Sequence, residues 1–363
     1  MTSVRLRNAT AVVVGLVLIV GPAGCAIAAP EQTTPQPEAY VASMKPSAIP
    51  TSSIITAEEV NWDTNGDGFL TVAFAQTGSE STWALANTQS FKDYFVEANG
   101  FRLFLGDADS DDATQKAQFR GFITQGAEVI VVRPIAVDGW KPVLQEARDA
   151  GIPVIDFDRP LTGVSDLCSF FFGYNFRAEG DNVVSWMQNY FTSRGLYGPQ
   201  VKIIHLQGQM GTDAQVGRSK ALALGVLQNG WNVVATQSGD FLRDWGMMAM
   251  RSILDNEGPN DFNVVYSEND DMTYGALDAM MNDGLDPKNY TIISFDGNKS
   301  AVQLVINGTI SVIGQYNPSV APQLGELIKQ ASHGKTIASP QYATEAIIDS
   351  TNAVVMLPAA FGT

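Results

Sequence analysis

From Leu70 onward the chain alternates short apolar, β-branched runs with longer stretches of mixed polarity. Apolar runs bounded by turn residues suit strands buried on both faces, and apolar positions recurring every three or four residues suit helices packed against them. The pattern predicts strands at "LTVAF", "FRLFL", "VIVVRP", "IPVIDF" and "SFFFGYN", with helices over Trp83–Ala98, Ala113–Gln125 and Gly139–Ala150 between the first four. After a helix over Glu179–Thr192 it resumes with "VKIIHLQG", a helix near Arg218–Asn229, "WNVVATQSG" and a helix near Trp245–Asp255. It closes with "VVYS", a helix from Asp271 and "IISFDG". Such alternation implies parallel sheets assembled from βαβ units. There are more strands than one sheet normally carries, so the expected fold class is α/β with two lobes.

The chain ahead of Leu70 has a different character. Met1–Ala29 reads as a secretory leader: Arg5 and Arg7, the apolar run Ala11–Val20, then small residues. That run is too short to cross a bilayer as a permanent helix. Two cleavage readings stand. "PAGC" ends at Cys25, which a lipoprotein box would make the lipidated first residue, with Pro22 where leucine is usual; Ala26-Ile27-Ala28 is a small-x-small site for ordinary cleavage. Residues 30–69 read as a flexible tether, because Pro30–Thr56 is rich in Pro, Thr, Ser, Gln and Ala and too poor in large apolar groups to fold alone. A tether following the leader favours lipidation at Cys25 and a protein secreted across the cytoplasmic membrane, held at the cell surface or in the periplasm by a lipid anchor.

Composition narrows the function. The chain has 363 residues, 45% of them hydrophobic, enough for two cores of ordinary domain size. A formal net charge of −16 argues against nucleic acid, whose phosphates call for a basic face. Of the two cysteines one is Cys25, so no disulfide framework exists; Cys168, in "LCSFFF", reads as a small buried hydrophobe.

In an open α/β sheet, ligands bind beyond the carboxyl ends of the strands. Asn269 in "SENDD" and Asp296 in "SFDG" end two successive strands, and an amide with a carboxylate can both donate to and accept from a hydroxylated ligand. "DFDRP" puts Asp158 and Arg159 at another strand end, where a carboxylate and a guanidinium could serve both kinds of hydroxyl contact on one edge of a ligand. "VVRP" ends on Arg133, for which a ligand contact and a surface salt bridge stay equally open. "QTGSESTW" follows the first strand and brings Glu80 and Trp83 to the rim, a charged group beside a flat apolar surface.

"SENDDMTYGAL" followed by "SFDG" resembles the sugar-binding proteins of bacterial ABC importers, the ribose and galactofuranose binders with the type I periplasmic-binding fold, over about Thr71–Pro358. The resemblance implies two Rossmann-like lobes with parallel sheets joined by a three-segment hinge, crossing near Tyr174, Tyr316 and Tyr342. The lobes would be 70–174 plus 317–341 and 175–316 plus 342–363. It implies that Trp83 stacks on the sugar, Glu80 bonds hydroxyls and Asp158–Arg159 form the ligand pair. It further implies that Phe241 supplies a second stacking wall, and that Asn175 and Gln315 are ligand or hinge positions. Val216 stands where ribose binders carry a ligand arginine, which tilts the chain toward the galactofuranose branch.

Other chemistry finds little support. His205 and His333 form no metal pair by spacing, and no GxSxG elbow occurs. "LQGQMGTDAQVGRSK" lacks the Gly-Lys-Ser/Thr ending of a phosphate loop, and Gly334-Lys335-Thr336 lacks the earlier glycine, because that position is Lys329. "DTNGDGFL" opens like a calcium loop, with Asp63, Asn65 and Asp67, but its twelfth position is Phe74, so a turn into the first strand is expected. The run Asp107, Asp109, Asp111 and Asp112 reads as a solvated loop. The expectation is therefore a monomeric, non-enzymatic solute-binding lipoprotein without cofactor, catalytic residue or metal. It would capture a monosaccharide, with furanose forms implied, and deliver it to an ABC permease with its ATPase. It would touch the membrane only through the anchor and bind no nucleic acid. A sensory binding protein reporting to a membrane receptor is the alternative; a sugar-responsive repressor would need a basic helix-turn-helix where the leader and tether stand.

Overall fold

Two six-stranded sheets organise this computed structural model, which describes residues 62, 64–79, 81–258 and 261–362. The leader with Cys25, most of the tether, Asp63 and Glu80 lie outside the described residues. The first sheet takes β1 (Leu70–Gln76), β2 (Phe101–Asp107), β3 (Val129–Val132), β4 (Val154–Asp158) and β5 (Phe170–Gly173), with β11 (Gln341–Tyr342) at its edge, in the order β11-β5-β4-β3-β1-β2. The second takes β6 (Lys202–Gln207), β7 (Asn232–Ser238), β8 (Val264–Ser267), β9 (Thr291–Asp296), β10 (Val312–Gln315) and β12 (Ile347–Asp349), in the order β12-β10-β9-β8-β6-β7. All pairings are parallel except β12 on β10.

Both sheets thus repeat the doubly wound order 2-1-3-4-5, which reverses direction between β1 and β3 and again between β6 and β8. Each sheet is buried on both faces, which explains why its strands read as nearly continuous apolar runs. Along β1, Val72 and Phe74 join one core while Ala73 and Ala75 join the other. Ile293 and Phe295 of β9 lie opposite Ile292 in the same way.

The helices are α1 (Thr82–Tyr94), α2 (Asp112–Gln125), α3 (Lys141–Asp149), α4 (Phe176–Ser193), α5 (Asp213–Asn229), α6 (Arg243–Glu257), α7 (Asp270–Asn282), α8 (Lys299–Ile306), α9 (Ala321–Ser332) and the short α10 (Ala353–Met356). Several start earlier than the apolar spacing indicates. Asn175 Oδ1 accepts from Ala178 N and so begins α4 at Phe176, not Glu179; Thr212 caps α5, which begins at Asp213, well before Arg218. Capping by a polar residue sets a helix start independently of where its apolar stripe begins. The chain crosses between the sheets after β5, after β10 and between β11 and β12.

Two expected loops find their partners locally. Asn65 and Asp67 each accept a backbone N–H two residues on, as turn residues do. Asp111 caps α2 through Thr114 N, and Asp107 Oδ2 accepts from Ser79 Oγ. Cys168 is buried, and burial raises its thiol well above the usual range.

Candidate functional site

A cavity of about 370 Å³ lies where the carboxyl ends of the two sheets face each other. Its lining residues include those that follow the strands flanking each reversal of strand order, where ligands of such sheets are held, and others that follow the neighbouring strands.

On the first lobe Asp158 ends β4 in left-handed backbone, φ +70°, and is almost fully buried. Tyr316 Oη donates to its Oδ1 at 2.7 Å and Arg133 Nε to its Oδ2 at 2.7 Å. Arg133 also donates through Nη1 to Thr77 Oγ1 at 2.7 Å and Gln76 Oε1 at 3.2 Å. It is buried, so the surface salt bridge is replaced by a buried one. Arg159 Nε stays 3.8 Å from Asp158 Oδ2, and its side chain is 32% exposed. Trp83 is 5% exposed: Tyr316 stacks on it at 4.4 Å and 9°, the Arg133 guanidinium carbon sits 4.7 Å from its ring, and its Nε1 donates to Tyr316 O. Burial raises the Tyr316 phenol well above its usual range, and neighbouring Asp158 adds to that shift.

The second lobe is built around Arg218. Nε and Nη2 make paired bonds to Glu179 at 2.9 and 3.0 Å, Nη1 donates to Glu268 O at 2.5 Å, and Nη2 lies 3.5 Å from Asp296 Oδ1. Its guanidinium carbon is 4.7 Å from the Phe295 ring. Burial alone would lower its pKa, but the charges of Glu179 and Asp296 outweigh that and raise it. Burial pushes Glu179 up to about 7 against the pull of Arg218. Asp296 is raised by burial in the same way, again opposed by Arg218.

Asp296 ends β9 at φ +97°. The loop after it hangs on Asp270, whose Oδ2 accepts from Gly297 N and Asn298 N at 2.8 Å each and whose Oδ1 accepts from Ser294 Oγ. Asn269 lies just beyond β8 and caps α7, accepting from Met272 N, while its Nδ2 donates to Phe241 O at 3.0 Å. Phe241, at φ +64°, packs its ring on Gly208 so closely that a Cβ there would come within 1.9 Å of it. The cavity therefore offers acids and guanidinium groups from both lobes beside aromatic rings, which can meet hydroxyl donors, hydroxyl acceptors and apolar ring faces together.

The family model for the periplasmic binding protein domain matches residues 72–336. The chain belongs to this family. The galactofuranose-binding protein YtfQ of Escherichia coli (strain K12) is 32% identical to this periplasmic binding protein over 272 residues, covering 73% of the chain and 83% of YtfQ. A crystal structure from Mycobacterium smegmatis in complex with β-D-fucofuranose is 34% identical, with a TM-score of 0.70 over 80% of this chain and 94% of that one. The arabinose ABC transporter binding protein of Shewanella sp. ANA-3, bound to α- and β-L-arabinofuranose, is 27% identical, with a TM-score of 0.71 over 80% and 95%. Two parallel-rich sheets joined by three crossings make this the type I periplasmic-binding fold.

In this periplasmic binding protein the cavity gathers Trp83, Arg133, Asp158, Arg159, Phe241, Asn269 and Asp296. Asn175 instead lines a neighbouring cavity of about 160 Å³, its side-chain oxygen spent on the α4 cap. Gln315 ends β10 beside Asp296 and is not among the lining residues. Sequence reasoning did not assign Arg218, Asp271, Asn298 or Phe361 to the site and placed Tyr316 only at a hinge crossing, yet all five line the cavity. Arg218 had one legible signal: once Thr212 is taken as the α5 cap, Arg218 falls on the same inward face as Ala221 and Leu222, where a cation needs a partner.

Proposed function

We propose that this protein is the extracytoplasmic solute-binding component of an ABC importer, capturing a monosaccharide in furanose form between its lobes. The observation that carries the reading is the cavity itself, with Asp158, Arg133 and Arg159 on one wall and Asp296 with Arg218 on the other. Galactofuranose, fucofuranose and arabinofuranose in the names of its relatives supply the ring form. The relatives are named as binding proteins, and the reading is non-enzymatic. The lobes, 70–174 plus 317–341 and 175–316 plus 342–363, close on the sugar about the hinge, and the closed shape is what a permease with its ATPase recognises. Arg159, Asn269, Asp296 and Glu80 bond hydroxyls, with Trp83 and Phe241 against the ring and Asn175 and Gln315 at the hinge. The body is a monomer on a tether lipidated at Cys25.

Micromolar affinity corresponds to about −8 kcal/mol, and two or three charge-assisted hydrogen bonds at roughly 1.5–3 kcal/mol each with aromatic burial reach it after ordering costs. The test is calorimetric titration with free galactose, fucose and arabinose, which equilibrate with furanose forms, beside their methyl pyranosides, which do not. Saturable binding of a free sugar and none of its pyranoside is expected. Binding of neither would overturn the reading, and binding of both would overturn the furanose form.

A further inference from the structure

The C-terminal segment leaves one lobe and enters the other. α10 and the turn after it pack Met356 and Leu357 against the core of the second lobe, and Ala360 is buried in that same core. The next residue, Phe361, is held to the second lobe by its backbone: it bridges Asn298 as a parallel β-partner, and its carbonyl accepts from Lys299 N at 2.8 Å. Its side chain does not stay there. Phe361, a residue 8% exposed, belongs to the apolar cluster of the first lobe, the one that contains Trp83 and Tyr316. Gly362 follows at φ +71°, and a Cβ on it would lie 3.5 Å from Thr82 Cγ2 on the first lobe and 3.8 Å from Asn298 Cβ on the second. Thr82, Asn298 and Phe361 all line the main cavity.

A buried phenylalanine attached to one lobe by hydrogen bonds and to the other by apolar contact opposes separation of the lobes. While seated, it forms part of the cavity lining and so limits the room beyond it. We propose that Ala360–Gly362 is a strap joining the lobes across the cavity, and that Phe361 is a specificity-determining wall that admits a single sugar ring and refuses a glycosidically extended one. The size selection rests on the sugar reading above; the strap does not.

The experiment uses the full chain as wild type, Phe361→Ala and Phe361→Leu, each checked for a cooperative melt. Small-angle scattering of the sugar-free proteins reads the strap: Phe361→Ala is expected to have a larger radius of gyration than wild type, and Phe361→Leu to stay close to wild type. Titration with galactose and with a galactofuranosyl-galactose disaccharide reads the wall. Wild type is expected to bind galactose at least tenfold more tightly than the disaccharide, and Phe361→Ala to lose most of that ratio. An unchanged radius of gyration together with an unchanged ratio in a folded Phe361→Ala would overturn the proposal. If wild type binds neither sugar, the sugar reading has failed and the scattering comparison alone decides the strap.

Discussion

Arg218 is a cation almost wholly removed from water, tolerable because Glu179 meets it with paired bonds and Asp296 lies nearby. Arg218→Met leaves both carboxylates without their counter-charge and is expected to cost about 3–5 kcal/mol of stability, read by urea denaturation. Asp296→Ala removes a carboxylate from the cavity and is expected to weaken sugar binding by about ten- to a hundredfold, the worth of one charge-assisted bond, read by calorimetry. Glu345 gives a pH prediction. It sits in the third crossing, its buried Oε1 has no partner among the described residues, and it faces Glu179 on α4, Asp158 on β4 and Arg218 on α5. Burial, reinforced by Glu179, raises its pKa from 4.5 to about 9. The folded protein thus keeps a proton that the unfolded chain releases, so the contribution of Glu345 to stability is most favourable below pH 4.5 and is lost as pH rises toward 9. Glu345→Gln should match wild type in melting temperature at pH 4.5 and exceed it at pH 8; equal melts at both would remove Glu345 as the cause. Asp158, Arg159, Asn269 and Asp296 were legible as polar residues stopping apolar strands. Arg218 and Glu345 were not, because their meaning comes from partners far away in sequence.

Strands and helices were read more surely than their limits. Strands buried on both faces announce themselves by composition, and each predicted run from "LTVAF" to "IISFDG" forms a strand. Helix starts shifted because Asn175 and Thr212 place them through single hydrogen bonds. Close packing of elements left still less trace. Where α6 crosses α7, a Cβ on Gly275 would lie 2.0 Å from Arg243 O and 2.5 Å from Met247 N. Gly275→Ala must push these backbones apart and is expected to cost roughly 1–3 kcal/mol, measured by thermal melting. Gly208→Ala should displace the Phe241 ring instead and weaken sugar binding with little loss of fold, measured by titration beside a melt.

At the scale of the molecule, one topology is used twice and the two carboxyl edges are turned toward one cavity. A bound sugar at about a hundredfold its dissociation constant should stabilise the whole by roughly 2.7 kcal/mol, visible as an upward shift in melting temperature. Such a shift belongs to both lobes, since each supplies charged groups to the cavity. The pairing of Trp83 with Tyr316 has a spectroscopic consequence. The indole of α1 is stacked on a phenol in the second crossing and hydrogen-bonded to its carbonyl, next to a guanidinium. If the lobes close about the hinge as proposed above, opening would disturb this stack, and the emission of Trp83, one of six tryptophans in the chain, would report it without any attached dye.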